Sequence, residues 1–360
     1  MNVFAKYAKT LTMGVFVSVI CVSACAAQSY NVQTFATGTG LGATSPDSVL
    51  FGDGSIWISY QNGADSTGLF GSSTVVRYSL SGAIQNTWSI PGNVDGLRVD
   101  HSGLVWALQN NDGNSTLTVI NPTTNGTTLY TYGDTYTNVP NRGFDDAQFL
   151  KGNTFLSETN PASPNDAIVV RLTTGLTSPL QIAGILNSRF TGTNLATGMV
   201  GSDTITDSDS LIQTPKGDLA LTGEADQQIV FIHNPGQSGQ SESFINLLGT
   251  NGQTISGLPD DTAYPTASSG YFFMADVGAN TVYKISATGL APGSVYIDVG
   301  DEFGILDLST GIVTPIFIGT SPHGLEFISS AQAVPEPGTL IIFGSGVIAL
   351  GSLLRCKLRL

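Results

Sequence analysis

Six places in the chain set a metal-ligating or proton-binding side chain just ahead of a short apolar run: Asp47, Asp95, Asp146, Asp209, Asp261 and, at the last, His323. Carboxylates gathered at one small opening repel one another, and some are then forced to higher pKa unless a cation neutralises them. A hard cation such as Ca2+, which takes roughly six to eight oxygen ligands, is the cofactor such a ring would hold. The same aspartates have a second reading, in which each accepts backbone N–H bonds and caps the turn entering its strand. The sequence leaves both open and fixes no cofactor.

The remaining polar residues add no recognised catalytic motif. Asn62, Asn110, Asn111, Glu158, Asn160, Glu224, Asp226 and Asp276 follow later apolar runs and would face the same opening, where amides and acids suit a sugar or Ca2+. Asp203, Asp207 and Asp209 lack the glycine and closing glutamate of an EF-hand loop. His101, His233 and His323 have no zinc-binding spacing. No Gly-x-Ser-x-Gly elbow occurs, and Cys21, Cys25 and Cys356 all lie in the terminal segments. Trp57, Trp88 and Trp106 fall on apolar runs, where packing outweighs sugar stacking as their expected role.

The elements that must position these side chains form a repeat. Asp47-Ser48-Val49-Leu50-Phe51 is followed by Gly54-Ser55-Ile56-Trp57-Ile58, and the pattern returns at Asp95–Leu108, Asp145–Leu156, Asp209–Leu221 and Asp260–Met274. A half-copy, Ser321–Phe327, ends the series. Asp47 to Asp95 is 48 residues and Asp95 to Asp146 is 51, the size of a four-stranded propeller blade at about 40 to 50 residues. Third strands follow at Ser73–Leu80, Leu117–Ile120, Ala167–Leu172, Gln228–Ile232 and Thr281–Ile285. Strict alternation is weak, as expected where stacked blades cover both faces of each sheet. Insertions around Leu186–Asp203 and Thr288–Gly293 lengthen two repeats. Residues 294–318 read as three strands without an aspartate module, so six blades fit best, with five or seven as alternatives.

The stretch Met274-Ala275-Asp276-Val277-Gly278-Ala279-Asn280-Thr281-Val282-Tyr283-Lys284-Ile285 resembles the strand-turn-strand of NHL-type and SMP-30-like six-bladed propellers. The resemblance implies an all-β propeller over residues 28–330 in which the first and last segments complete one blade, with Asn31–Ala36 as the closing strand. It also implies two functional classes. The leading one is a non-enzymatic binding module for protein or polysaccharide. Its rival is a metal-dependent hydrolase similar to the gluconolactonase and lactonase-like propellers.

The end of the chain addresses it. Val334-Pro335-Glu336-Pro337 lies within an extended linker, residues 331–338, because each proline fixes its own backbone and pushes its predecessor out of the helical region. Residues 339–354 form an apolar run that would give a helix of roughly 24 Å against a hydrocarbon core of about 30 Å. A basic tail, residues 355–360, follows and favours the cytoplasmic side. This order of parts resembles the PEP-CTERM sorting signal of Gram-negative bacteria, which implies processing near Val334–Pro337 by an exosortase and links the chain to exopolysaccharide and surface proteins. The interrupted basic end, Arg355-Cys356-Lys357-Leu358-Arg359, departs from the denser arginine run usual in that signal.

At the other end, Lys6 and Lys9 precede an apolar run and small residues, so residues 1–27 read as a signal peptide. Val22-Ser23-Ala24-Cys25 also reads as a lipobox, and cleavage after Ala26 or Ala27 is the preferred alternative. Between the two ends lie 8 basic and 26 acidic residues, a balance of −18, which disfavours nucleic acid and anionic lipid as partners of this segment. The expected location is the cell envelope, anchored through the C-terminal helix before processing and surface-attached or secreted afterwards.

Overall fold

The computed structural model describes residues 27–133 and 141–333. The segment read as a signal peptide, up to residue 26 and including Cys25, together with Val334–Pro337, residues 339–354 and residues 355–360, lies outside the described residues.

Six sheets stand around a common axis. Blade 1 is built from strands Pro46–Gly52, Ser55–Tyr60, Ser72–Tyr78 and Ile84–Pro91, from the axis outward. Blade 2 follows with Val94–Val99, Val105–Gln109, Thr116–Asn121 and Gly126–Thr131, and blade 3 with Phe144–Leu150, Asn153–Glu158, Ala167–Leu172 and Ile182–Asn187. Blade 4 has Ser208–Gln213, Leu219–Gly223, Gln228–His233 and Ser241–Asn246. The first insertion becomes a hairpin, Arg189–Asn194 and Val200–Thr204, that widens this blade by pairing in parallel with Ser241–Asn246.

Blades 5 and 6 are interlaced. The chain lays down the inner strand of blade 5, Pro259–Ala263, then crosses to build Ser269–Asp276 and Thr281–Thr288 of blade 6. The second insertion carries it back for Val295–Val299, Glu302–Leu306 and Val313–Ile318 of blade 5. Blade 6 is finished from inside by Pro322–Ser329 and from outside by Ser29–Thr37. This corrects one expected pairing: Asp260–Tyr264 and Gly270–Met274 are consecutive in sequence but belong to different blades. Residues 294–318 therefore complete blade 5. Joining the first and last described strands in one sheet closes the ring non-covalently and leaves no blade of the described residues unpartnered.

Apolar clusters fill the space between each pair of neighbouring blades. Trp57 of blade 1 stacks on Trp88 at 5.1 Å, and both pack with Val94, Leu97 and Val105 of blade 2. Between blades 5 and 6, Phe272, Tyr296, Phe303 and Phe327 form a ring cluster with centroids 4.5–5.8 Å apart. Every residue of Ser55–Tyr60, Val105–Gln109, Leu219–Gly223 and Val295–Val299 is buried, because second strands are covered on both faces. That burial is the cause of the weak alternation in the sequence. Trp57 and Trp88 take the packing role, and Trp106 sits edge-on to Phe149 with its indole N–H donated to Asp100.

Candidate functional site

The inner strands share one irregularity. Each carries a β-bulge near its start, where two residues face one on the neighbouring strand: 47–48, 95–96, 145–146, 209–210 and 260–261, with Gly324 as the extra residue beside His323. A bulge re-aims side chains. Here it brings both residues of each pair to the axis, in two tiers.

The first tier is Asp47, Asp95, Asp145, Asp209, Asp260 and His323, and it opens into a cavity of about 260 Å³ at one mouth of the ring. Four of the six aspartate and histidine positions expected from sequence are here. Asp146 and Asp261 lie one residue further in, and the acids that replace them at the mouth are Asp145 and Asp260. Aligning the strands on their first residue would have found both: Pro46-Asp47, Val94-Asp95, Phe144-Asp145, Ser208-Asp209, Pro259-Asp260 and Pro322-His323 share one position.

The second tier holds the ring together. Ser48 Oγ accepts from Leu97 N–H at 3.0 Å, Asp146 Oδ2 from Leu211 N–H at 2.9 Å, and Asp261 Oδ2 from Leu325 N–H at 2.8 Å. Each of these bonds ties an odd-numbered blade to the next. On two of the alternate blades the position is glycine, since a Cβ on Gly96 would stand 2.0 Å from Asp145 O and one on Gly324 1.9 Å from Asp47 O. Arg98 closes the axis below, bonded to Asp146 at 2.5 Å and to Ala147 O at 2.9 Å. Only about 20 Å³ remains among these side chains, room for about one water, so a ligand reaches the first tier from the mouth. For Asp146 and Asp261 the capping role is the observed one.

Electrostatics divide the first tier. His323 Nδ1 lies 2.7 Å from Asp260 Oδ2 and 3.5 Å from Asp47 Oδ1. Burial opposes the imidazolium, but Asp260 and Asp47 outweigh it and push His323 up to about 12. Burial likewise opposes the Asp260 carboxylate, yet His323 and hydrogen bonds from Asp209 and Gly324 N–H hold it well below the usual range. Burial, with repulsion from neighbouring acids, drives Asp95, Asp145 and Asp209 well above that range. Asp47 is raised by burial, with His323 pulling the other way. Burial and then neighbouring acids bring Glu224 up to about 7 and Asp207 to about 6 at the rim.

Of the other residues read as mouth-facing, Asn111, Asn160 and Glu224 line the cavity, joined by Gln61 and Asp112. The rest are structural: Glu158 is fully buried and paired with Arg142, Asp276 accepts from Ala279, Thr320 and Ser321 N–H, and Asp226 accepts from Thr206. Asn62 and Asn110 brace loops through backbone bonds.

Three carboxylate or imidazole atoms, from Asp47, Asp260 and His323, fall within 4.8 Å of one another, the spacing of a metal ligand set. Asp95 Oδ2 beside them is buried with no hydrogen-bond partner, as a ligand atom without its cation would be. The donor set is rich in carboxylate and amide oxygens, which fits a hard cation such as Ca2+.

The architecture makes the chain a six-bladed β-propeller. Residues 333–356 match the PEP-CTERM protein-sorting motif, which implies export, a C-terminal membrane-anchored sorting signal and processing by an exosortase-type enzyme. No curated protein matches the sequence. Among solved structures, a gluconolactonase from Xanthomonas campestris is similar at a TM-score of 0.51 and 13% identity, over 84% of this chain and 84% of that one. A virginiamycin B lyase from Staphylococcus aureus aligns at 0.49 and 14% identity, over 82% of this chain and 92% of that one. At these identities the likeness is one of fold.

Proposed function

We propose that the exported propeller is a binding module whose acidic mouth captures a hard divalent cation, Ca2+, and through it a hydroxyl-rich ligand such as an exopolysaccharide. The observation that carries this reading is the convergence of Asp47, Asp260 and His323 within 4.8 Å, in a cavity whose other walls are Asp95, Asp145, Asp209, Asn111 and Asn160. A cation there would relieve the carboxylate repulsion that otherwise forces several acids to hold protons. Sugar hydroxyls would then complete its coordination. The acidic exterior argues against anionic partners that bind without a cation.

Titration calorimetry of the full chain with CaCl2 tests the cation. One saturable site, weakened at least tenfold by D47N and by D260N, supports the reading, and absence of binding sinks it. Binding of neutral polysaccharide only in the presence of Ca2+ would support the second half.

A second reading, a metal-dependent hydrolase of lactones, is favoured by one feature. Glu224 and Asp207, raised to about 7 and about 6, stand at the rim where a proton donor or acceptor near neutrality is useful. Ca2+-dependent hydrolysis of a simple γ- or δ-lactone, lost in E224Q with Ca2+ binding intact, would select this reading.

A further inference from the structure

At the end of blade 4 remote from the mouth, Asp218, His233 and Ser243 form a continuous hydrogen-bonded line. Asp218 sits in the turn before Leu219–Gly223, His233 ends the third strand, and Ser243 lies in the fourth. Asp218 Oδ2 is 2.8 Å from His233 Nδ1, and His233 Nε2 is 2.9 Å from Ser243 Oγ. In the tautomer with the ring proton on Nδ1, His233 donates to Asp218, and Nε2 accepts from the Ser243 hydroxyl. Asn234 N–H, 3.4 Å from the other Asp218 oxygen, helps hold the carboxylate in place.

We propose that Ser243 is an activated nucleophile, with His233 as its general base and Asp218 as the positioning residue, acting on small activated carboxylic esters. This relay is the arrangement that makes a serine hydroxyl reactive: a base within hydrogen-bond reach, oriented by a third group. Ser243 Oγ attacks the ester carbonyl as its proton passes to His233 Nε2. The C–O bond to the alcohol breaks, and the departing alkoxide takes that proton. Water, deprotonated by the same nitrogen, then cleaves the acyl-serine, so ester and water become acid and alcohol. Access sets the size of substrate, because the His233 side chain is 36% exposed while Ser243 is 6% exposed. Only a small acyl group approaching past the imidazole reaches the hydroxyl.

The test uses the full chain with methanesulfonyl fluoride, a serine reagent no larger than the proposed acyl group, followed by peptide mass spectrometry, and p-nitrophenyl acetate as substrate. The expected result is one methanesulfonyl adduct on Ser243, absent in S243A. H233Q and D218N should slow labelling at least tenfold, and D218N should also displace the pH–rate profile, which a bracing role would leave alone. Absence of an adduct on Ser243, or labelling of H233Q at the wild-type rate, overturns the proposal and leaves the line as a brace between the two hairpins. If S243A fails to fold, the position of the wild-type adduct and the H233Q rate still decide.

Discussion

His323 Nδ1 lies 2.7 Å from Asp260 Oδ2, so the inner strand that closes the ring carries a cation into the middle of five aspartates. The pair joins blade 6 to blade 5, whose strands the chain interlaces, and Asp47 of blade 1 approaches the same imidazole at 3.5 Å. Ring closure and the charge balance of the mouth thus meet in one side chain.

Replacing His323 with glutamine should lower stability in a pH-dependent way. The folded imidazole is raised to about 12 from 6.5, so its contribution is complete below about pH 6.5 and is lost as pH rises through about 12. Asp260 is lowered, so its share is present above about pH 4 and is lost as pH falls further. The gap in Tm between the wild type and H323Q should therefore be widest near pH 5–6 and narrow towards pH 9. A gap independent of pH from 5 to 9 would show that the pair is not ionised.

Cation capture at the mouth should release protons. His323 is protonated when free of metal, and burial holds Asp95, Asp145 and Asp209 protonated towards higher pH than usual. A cation stabilises the deprotonated forms, so Ca2+ affinity should rise from pH 5 to pH 8. The calorimetric enthalpy should also differ between buffers of low and high ionisation enthalpy, such as PIPES and Tris. Equal enthalpies in the two buffers would mean that no net proton leaves.

The two tiers should answer differently to mutation. Asp146 is 5% exposed, pairs with Arg98 and caps Ala147 and Leu211, so D146A breaks a buried ion pair and leaves two backbone N–H groups without their acceptor, and should cost about 3–5 kcal/mol. D47N removes a mouth carboxylate without touching those bonds, and should spare most of the stability while weakening Ca2+. Urea unfolding of both variants makes the comparison.

Much of the fold was legible because blade spacing and buried second strands leave local marks. Asp47 to Asp95 to Asp146 measures blades directly, and Asn31–Ala36 was identifiable as the closing strand from the ring's need for a partner. The interlacing of blades 5 and 6 was not legible, since Ser269–Asp276 is as apolar as any second strand and pairing across a long connection leaves no local signal. At the site the error was one residue. Asp145-Asp146 and Asp260-Asp261 offer two acids each, and only the bulge decides which one faces the mouth. The Asp218–His233–Ser243 line had no sequence mark at all, because strand register, not spacing, brings its members together.

Gly96 tests whether the ring tolerates any added volume where blades 2 and 3 meet. A methyl group there would stand 2.0 Å from the carbonyl oxygen of Asp145, a backbone atom held in the neighbouring inner strand and unable to rotate away. The two strands would have to separate, straining the Leu97 N–H bond to Ser48 on one side and the Arg98 bond to Ala147 on the other. G96A should therefore destabilise by about 1–3 kcal/mol, the usual cost of overpacking, and weaken Ca2+ binding by displacing Asp95 and Asp145 together. At Gly103, in a turn where a Cβ meets nothing within 4 Å, alanine is strained only by the local φ of +80° and should leave Ca2+ affinity at the wild-type value. If G96A matched G103A in affinity as well as in urea midpoint, the close approach of the two inner strands would not govern the mouth.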